Sequence, residues 1–122
     1  MEKRSLKTLN TFGIDVLANC IEFFQSEEEL TTLLQQENIR KQFMILGGGS
    51  NILFCHDFDG AILKNEIKTL NFTDKGAITT ATVGGGFTWH SFVETCVQKS
   101  LYGVENLALI PGTVGASPIQ NI

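Results

Sequence analysis

Hydrophobic and polar positions fall into blocks along the chain, and the blocks change period. Residues 1–15 are polar and turn-rich, and Asn10-Thr11-Phe12-Gly13 breaks any periodicity. Residues 16–24 predict a strand, with Cys20, Ile21, Phe23 and Phe24 as its apolar mass. Ser26-Glu27-Glu28-Glu29 predicts a helix start. Ser26 can cap the first turn, Glu29 completes a capping box, and the acidic run suits the positive end of the helix dipole. Leu30, Leu33 and Leu34 then form one apolar face, and the helix is expected to end near Asn38.

Residues 42–46 predict the next strand, which feeds Gly47-Gly48-Gly49-Ser50-Asn51. Ile52-Leu53-Phe54 follow, and residues 56–60 read as a turn. Residues 61–64 and 67–72 read as strands, with Asp74-Lys75-Gly76 turning the chain into the alternating segment 77–83 as a hairpin. Gly84-Gly85-Gly86 punctuates the change to a helix over 89–99, with Thr88 as its cap. Trp89, Phe92, Val93, Cys96 and Val97 follow the i, i+3, i+4, i+7, i+8 pattern of a core-facing helix. Residues 100–122 are apolar and loop-like.

Bulk properties narrow the class. The chain has 122 residues, enough for one domain, and its 43% hydrophobic and 18% charged content predicts a packed core. A net charge of −4 argues against a nucleic-acid groove. The three cysteines lie far apart with no C-x-x-C, which points to reduced thiols in a cytoplasmic protein and not to a disulfide framework or a metal site. No signal-peptide h-region opens the chain, and no apolar run is long enough to span a bilayer.

The glycine loops carry the candidate chemistry. A strand followed by consecutive glycines lets main-chain N–H groups turn toward an anion, and Ser50 and Asn51 add polar donors. The plainer alternative is a flexible turn. A P-loop is excluded because no Lys follows at the required spacing. A Rossmann fingerprint is excluded because Ile52 stands where its third glycine belongs, and Trp89 does the same for Gly84-Gly85-Gly86. Small residues from 107 to 121 would let the main chain pass against a flat ligand, with Ser117, Gln120 and Asn121 offering polar contacts. His90 lies off the apolar stripe of its helix and reads as a surface or supporting histidine. His56-Asp57 are adjacent in a turn and do not read as a dyad. Glu27 to Glu29 read as a solvated helix start, and Cys55 as a small buried thiol near the loop.

Four pieces taken together are more specific. Asn10-Thr11-Phe12-Gly13-Ile14-Asp15, the run from Leu46 to Phe54, Val83-Gly84-Gly85-Gly86 with Trp89-His90, and the run from Glu105-Asn106-Leu107 to Gln120-Asn121-Ile122 occur in one order. In these the chain resembles the N-terminal part of the UDP-N-acetylenolpyruvoylglucosamine reductase (UDP-N-acetylmuramate dehydrogenase) family of bacterial cell-wall precursor synthesis. The resemblance implies an α+β, FAD-binding domain of the vanillyl-alcohol-oxidase (PCMH) type. Its two small subdomains would be residues 1–66 and an incomplete second one over 67–122. It implies that Gly47, Gly48, Gly49, Ser50 and Asn51 hold the FAD diphosphate through main-chain N–H groups and Ser50, with Ile52 also cofactor-binding. It also implies that Ile110, Pro111, Gly112, Gly115, Ala116, Ser117, Ile119, Gln120, Asn121 and Ile122 line the cofactor. The implied reaction carries a hydride from NADPH, by way of the flavin, to the enol-ether double bond of a UDP-sugar.

The family's proton-donating Ser, assisting Glu and substrate-activating Arg all lie later in the chain, so no catalytic residue is assigned here. The Gly-Ala-Tyr-Gly that follows Asn121-Ile122 in the family, the substrate domain and a returning C-terminal strand are also lacking. The chain is therefore expected to be a fragment, inactive alone, with open sheet edges that favour self-association. Two alternatives stay open: another flavin oxidoreductase of the same fold, and a non-catalytic module with a phosphate or nucleotide site.

Overall fold

A computed structural model describes residues 3–122. The chain forms two compact units, Met1–Glu66 and Ile67–Ile122. Both mix helices with strands, and each has its own apolar core.

The first unit is built on a four-stranded sheet in the order β1-β2-β4-β3. Its strands are β1 (Arg4–Ser5), β2 (Leu17–Phe24), β3 (Phe43–Leu46) and β4 (Phe58–Asn65). β2 and β3 both run parallel to β4, and β1 is antiparallel to β2. The central strand is the most apolar, with Gly60, Ala61, Ile62 and Leu63 all buried, as expected of a strand covered on both faces. β4 begins at Phe58, inside the segment that the sequence reads as a turn. Pairing with β2 gives this stretch its backbone partners, and Asn19 donates to the Asp59 carboxylate at 3.0 Å. Those non-local bonds outweigh the turn propensity of Asp and Gly.

One face of the sheet carries Leu6, Val16, Ala18, Ile21, Leu46 and Ile62, with Leu9, Ile14 and Ile52 packed around them. Each such side chain contributes roughly 1.5–3 kcal/mol when fully buried. Residues 47–57 return from β3 to β4 without a helix and add Phe54 to this core. Among the described residues, no Asp, Glu, Lys or Arg is buried.

Two helices, α1 (Glu27–Gln35) and α2 (Glu37–Arg40), join β2 to β3 and pack against β2 and β4 respectively. The Ser26 side chain accepts from the Glu29 N–H at 3.1 Å, and the Glu29 carboxylate accepts from the Gln25 N–H at 2.7 Å. This is the reciprocal cap read from the sequence, reaching one residue further back than the usual box. The helix does not run unbroken to Asn38. Gln36 takes an extended ψ of 121° and separates α1 from α2. In a continuous helix, Ile39 would lie about half a turn round from Leu30. The break lets Ile39 turn inward, where it is 1% exposed.

The second unit pairs β5 (Leu70–Lys75) with β6 (Ile78–Val83) in an antiparallel hairpin under α3 (Trp89–Gln98). β5 starts later than the sequence suggests, because the carbonyls of Ile67 and Thr69 accept from Gly86 and Gly84 instead of from a strand. The turn is Gly76-Ala77 with Gly76 at φ +74°, since Asp74 and Lys75 stay paired to Thr79 and Ile78. Trp89, Phe92, Val93 and Cys96 form the core stripe of α3. Thr88 stands at the cap position but makes no side-chain cap. Residues 100–122 hold two 3₁₀ turns, Glu105–Leu107 and Val114–Ala116, and the short α4 (Ser117–Gln120). Among the described residues, no helix is long and apolar enough to cross a membrane.

Ser26→Ala is expected to cost about 1 kcal/mol through loss of the α1 cap, read as a lower urea midpoint. An unchanged midpoint would contradict the cap's role.

Candidate functional site

The glycine loop rests on a turn built by one buried amide. Asn10 is 7% exposed. Its Nδ2 donates to the carbonyls of Leu6 at 2.8 Å and Ile14 at 3.0 Å, and its Oδ1 accepts from the Ile14 N–H at 3.0 Å. A buried amide is stable only when it is paired in this way. The turn it organises presents the Thr11 N–H, which donates to the Gly49 carbonyl at 2.9 Å. This is the structural use of Asn10-Thr11-Phe12-Gly13.

Gly49 is fixed twice over. Its φ of +69° lies in the left-handed region, and a Cβ added there would sit 2.0 Å from the Leu9 carbonyl oxygen. Only glycine fits. The segment 47–51 bends without a hydrogen-bonded turn. Among the described residues, none of its main-chain N–H groups has an acceptor in the protein. Gly47 and Ser50 are half-buried, Gly49 is buried, and Gly48 and Asn51 are exposed. The sequence reading missed Lys64, whose ammonium donates to the Gly47 carbonyl. The signal was available: a lysine directly after Gly60-Ala61-Ile62-Leu63 on a central strand needs an acceptor.

In the second unit, residues 112–115 run along the loop that leads into α3. The main-chain N–H of Trp89 donates to the Gly112 carbonyl at 3.0 Å, that of Val114 to the Phe87 carbonyl at 2.8 Å and that of Gly115 to the Gly85 carbonyl at 3.0 Å. A Cβ on Gly115 would meet the Gly85 carbonyl oxygen at 2.9 Å. The second glycine run thus belongs to the same local structure as Gly112 and Gly115, a connection the sequence reading did not make. The Gln120 side chain donates to the Pro111 carbonyl at 3.0 Å and closes residues 111–120 into a loop. Asn121 ends α4 at φ +60°. Leu109 and Ile119 are 78% and 83% exposed, so this apolar segment presents much of its surface.

His90 supports that segment. Its Nδ1 accepts from the Leu109 N–H at 3.1 Å while Nε2 lies 3.5 Å from Glu94. The acceptor holds Leu109 at φ +63°, a conformation costing a non-glycine residue roughly 1–2 kcal/mol. His56 and Asp57 do not act as a dyad: Asp57 accepts from the Leu17 N–H at 2.8 Å, and His56 Nδ1 faces the Asp57 carbonyl. Cys55 is exposed, which corrects its reading as a buried thiol; it follows the end of the glycine loop, where the chain runs along the surface. Burial raises the pKa of Cys20, with a smaller contribution from the Glu22 charge, and burial alone raises that of Cys96. Neither is an activated thiolate. The Gly103 N–H and the chain's own amides hold the Glu105 carboxyl below its usual range, as a turn-stabilising anion and not a proton donor. A groove of about 400 Å³ lined by Ile78, Thr79, Ser100 and Tyr102 contains none of the predicted site residues.

Comparison with known proteins places this geometry in a family. Residues 18–122 match the family model described as FAD binding domain. The chain belongs to this family of FAD binding domains. It is 45% identical over 124 aligned positions to UDP-N-acetylenolpyruvoylglucosamine reductase of Bacteroides fragilis (strain YCH46), covering 99% of this chain and 37% of that protein. The enzyme of the same name from Amoebophilus asiaticus is 43% identical, with 99% and 36% covered, and that of Escherichia coli O157:H7 is 44% identical, with 97% and 35% covered. The chain thus spans little more than a third of the length of these curated relatives. A crystal structure of UDP-N-acetylenolpyruvylglucosamine reductase from Thermus caldophilus superposes with a TM-score of 0.63 at 23% identity, covering 95% of this chain and 40% of that one, which shows the shared α+β fold.

The residues fit a dinucleotide of this type. A diphosphate needs several N–H donors and nearby positive charge, and the first unit offers amides of residues 47–51 that have no acceptor among the described residues, with the Lys64 ammonium on the Gly47 carbonyl.

Gly49→Ala and Gly13→Ala form a matched pair. Gly13 also has a positive φ, +64°, but a Cβ there meets nothing within 4 Å. Gly13→Ala should cost about 1–2 kcal/mol for the left-handed conformation alone. Gly49→Ala should cost clearly more, because Leu9 must move as well, and urea unfolding of both variants checks this. Equal losses would mean that the Leu9 contact does not fix the loop.

Proposed function

We propose that this chain is the FAD-binding part of an NADPH-dependent reductase. The enzyme would convert UDP-N-acetylglucosamine enolpyruvate to UDP-N-acetylmuramate in peptidoglycan precursor synthesis. The observation that carries the reading is identity of 42–45% to reductases of that name over 97–99% of this chain, glycine loop included. The structure supports it with a loop whose amides have no acceptor among the described residues.

In this reading, the main-chain N–H groups of Gly47, Gly48, Gly49, Ser50 and Asn51 donate to the FAD diphosphate, and the Ser50 hydroxyl adds a further donor. Ile52 anchors the loop to the apolar core beneath it. Residues 110–122 line the cofactor, with Gln120 and Pro111 holding their shape. Bound FAD supplies hydride acceptance and return. The chain's own work is to bind, orient and shield that cofactor, and we assign it no catalytic residue. NADPH and the UDP-sugar are partners of the longer protein. Three free cysteines suit a cytoplasmic location. The edge strand β3, which exposes Phe43 and Ile45, suits self-association.

A visible absorption scan of the full-length protein after gel filtration tests the reading, followed by NADPH oxidation with the enolpyruvyl UDP-sugar. A retained flavin spectrum and substrate-dependent turnover are expected. Flavin without turnover of that sugar would point to another oxidoreductase of the same fold, and no flavin would remove the reading altogether. The elution volume of the 122-residue chain in the same kind of run tests self-association; a monomer at every concentration contradicts it.

A further inference from the structure

We infer that Lys64 is a positioning residue for the glycine loop: by holding the Gly47 carbonyl it aims the Gly48 N–H at the bound anion. The inference rests on the reading of that loop as a diphosphate cradle. Lys64 is the seventh residue of β4 and lies in register with Leu46, the last residue of β3. It is half-buried, directly after four buried positions. Its ammonium reaches past the end of β3 to the first carbonyl of the loop.

The peptide geometry makes this contact directional. A trans peptide is planar, so its C=O and N–H point opposite ways, and no peptide in the described chain is cis. A donor on the Gly47 carbonyl therefore turns the Gly48 N–H away from Lys64. The loop repeats the device two residues on, where the Thr11 N–H on the Gly49 carbonyl turns the Ser50 N–H away from the N-terminal turn. Glycine-rich backbone would otherwise sample many peptide orientations, because it has no side chain to restrict it. Two carbonyl clamps, one from a side chain and one from the main chain, leave alternate amides free to donate outward. Lys64 also adds a positive charge near the anion, but its directional role is the one a substitution can isolate.

The test uses the full-length protein with Lys64→Met, Lys64→Gln and Lys64→Arg. FAD affinity is measured by flavin fluorescence quenching, fold by the thermal midpoint, and loop order by the amide ¹⁵N shift of Gly48 in the flavin-free protein. Lys64→Met should weaken FAD binding roughly tenfold to a hundredfold, the factor that loss of one charge-assisted hydrogen bond gives. It should shift the Gly48 amide signal while leaving the Ser50 signal and the midpoint nearly unchanged. Lys64→Arg, which can still donate to a carbonyl, should recover most of the affinity. If Met disrupts folding, the Gln variant must show the same loss. Wild-type affinity and an unmoved Gly48 signal in Met or Gln, or an Arg variant no better than Met, would overturn the inference. If the wild-type protein binds no FAD, the cradle reading fails, and the Gly48 signal still decides whether Lys64 orders the loop.

Discussion

The contact between Gly49 and the N-terminal turn is the constraint from which the rest of the first unit follows. Main chain meets main chain there, with no room for a Cβ beside the Leu9 carbonyl and one hydrogen bond from Thr11. The turn that makes this approach possible is held by Asn10, whose side chain replaces backbone bonds on both sides of it. Remove Asn10 and the part-buried carbonyl and N–H of Ile14 lose their partner, at a cost of about 1–3 kcal/mol for each group left unpaired, while the Leu6 carbonyl keeps only the Leu9 N–H. The loop is therefore bent by its scaffold before any ligand arrives.

Preorganisation matters because an anion site made of backbone amides has little to offer if those amides must first be turned. Three devices do the turning here: the glycine φ at residue 49, the Thr11 clamp and the Lys64 clamp. The apolar core under the loop, with Ile52 and Phe54 packed on Leu46 and its neighbours, fixes the chain on its far side. In the second unit a related solution appears in another form. Gly85 and Gly115 pass at backbone contact, His90 holds Leu109 in a left-handed turn, and Gln120 ties α4 to Pro111. Both candidate segments are irregular backbone held by specific hydrogen bonds.

Much of this was legible in the sequence where a local rule governs. The stripe Trp89, Phe92, Val93, Cys96 gave α3 with its core face, and Ser26 with Glu29 gave the start of α1. The glycine loop was found because no regular element tolerates three glycines in succession. The errors fall where distant partners decide. Asp59-Gly60 has turn chemistry but becomes strand because β2 lies beside it, and α1 breaks at Gln36 because Ile39 is needed in the core. Cys55 looked like a core thiol by residue type, yet the chain leaves the core after Phe54. Lys64 follows four apolar or small residues, which signals that its ammonium needs an acceptor, but only the pairing of β3 with β4 shows that the acceptor is the Gly47 carbonyl.

The central claim is that this loop meets its ligand through main-chain N–H groups whose direction the scaffold has already set. A crystal structure of the full-length protein with FAD bound tests it most directly. The account predicts diphosphate oxygens within about 3 Å of the Gly48 and Ser50 nitrogens, with the Gly47 carbonyl still on Lys64 and the Gly49 carbonyl still on Thr11. A diphosphate held elsewhere, or a loop whose peptides have flipped to receive it, would contradict the account.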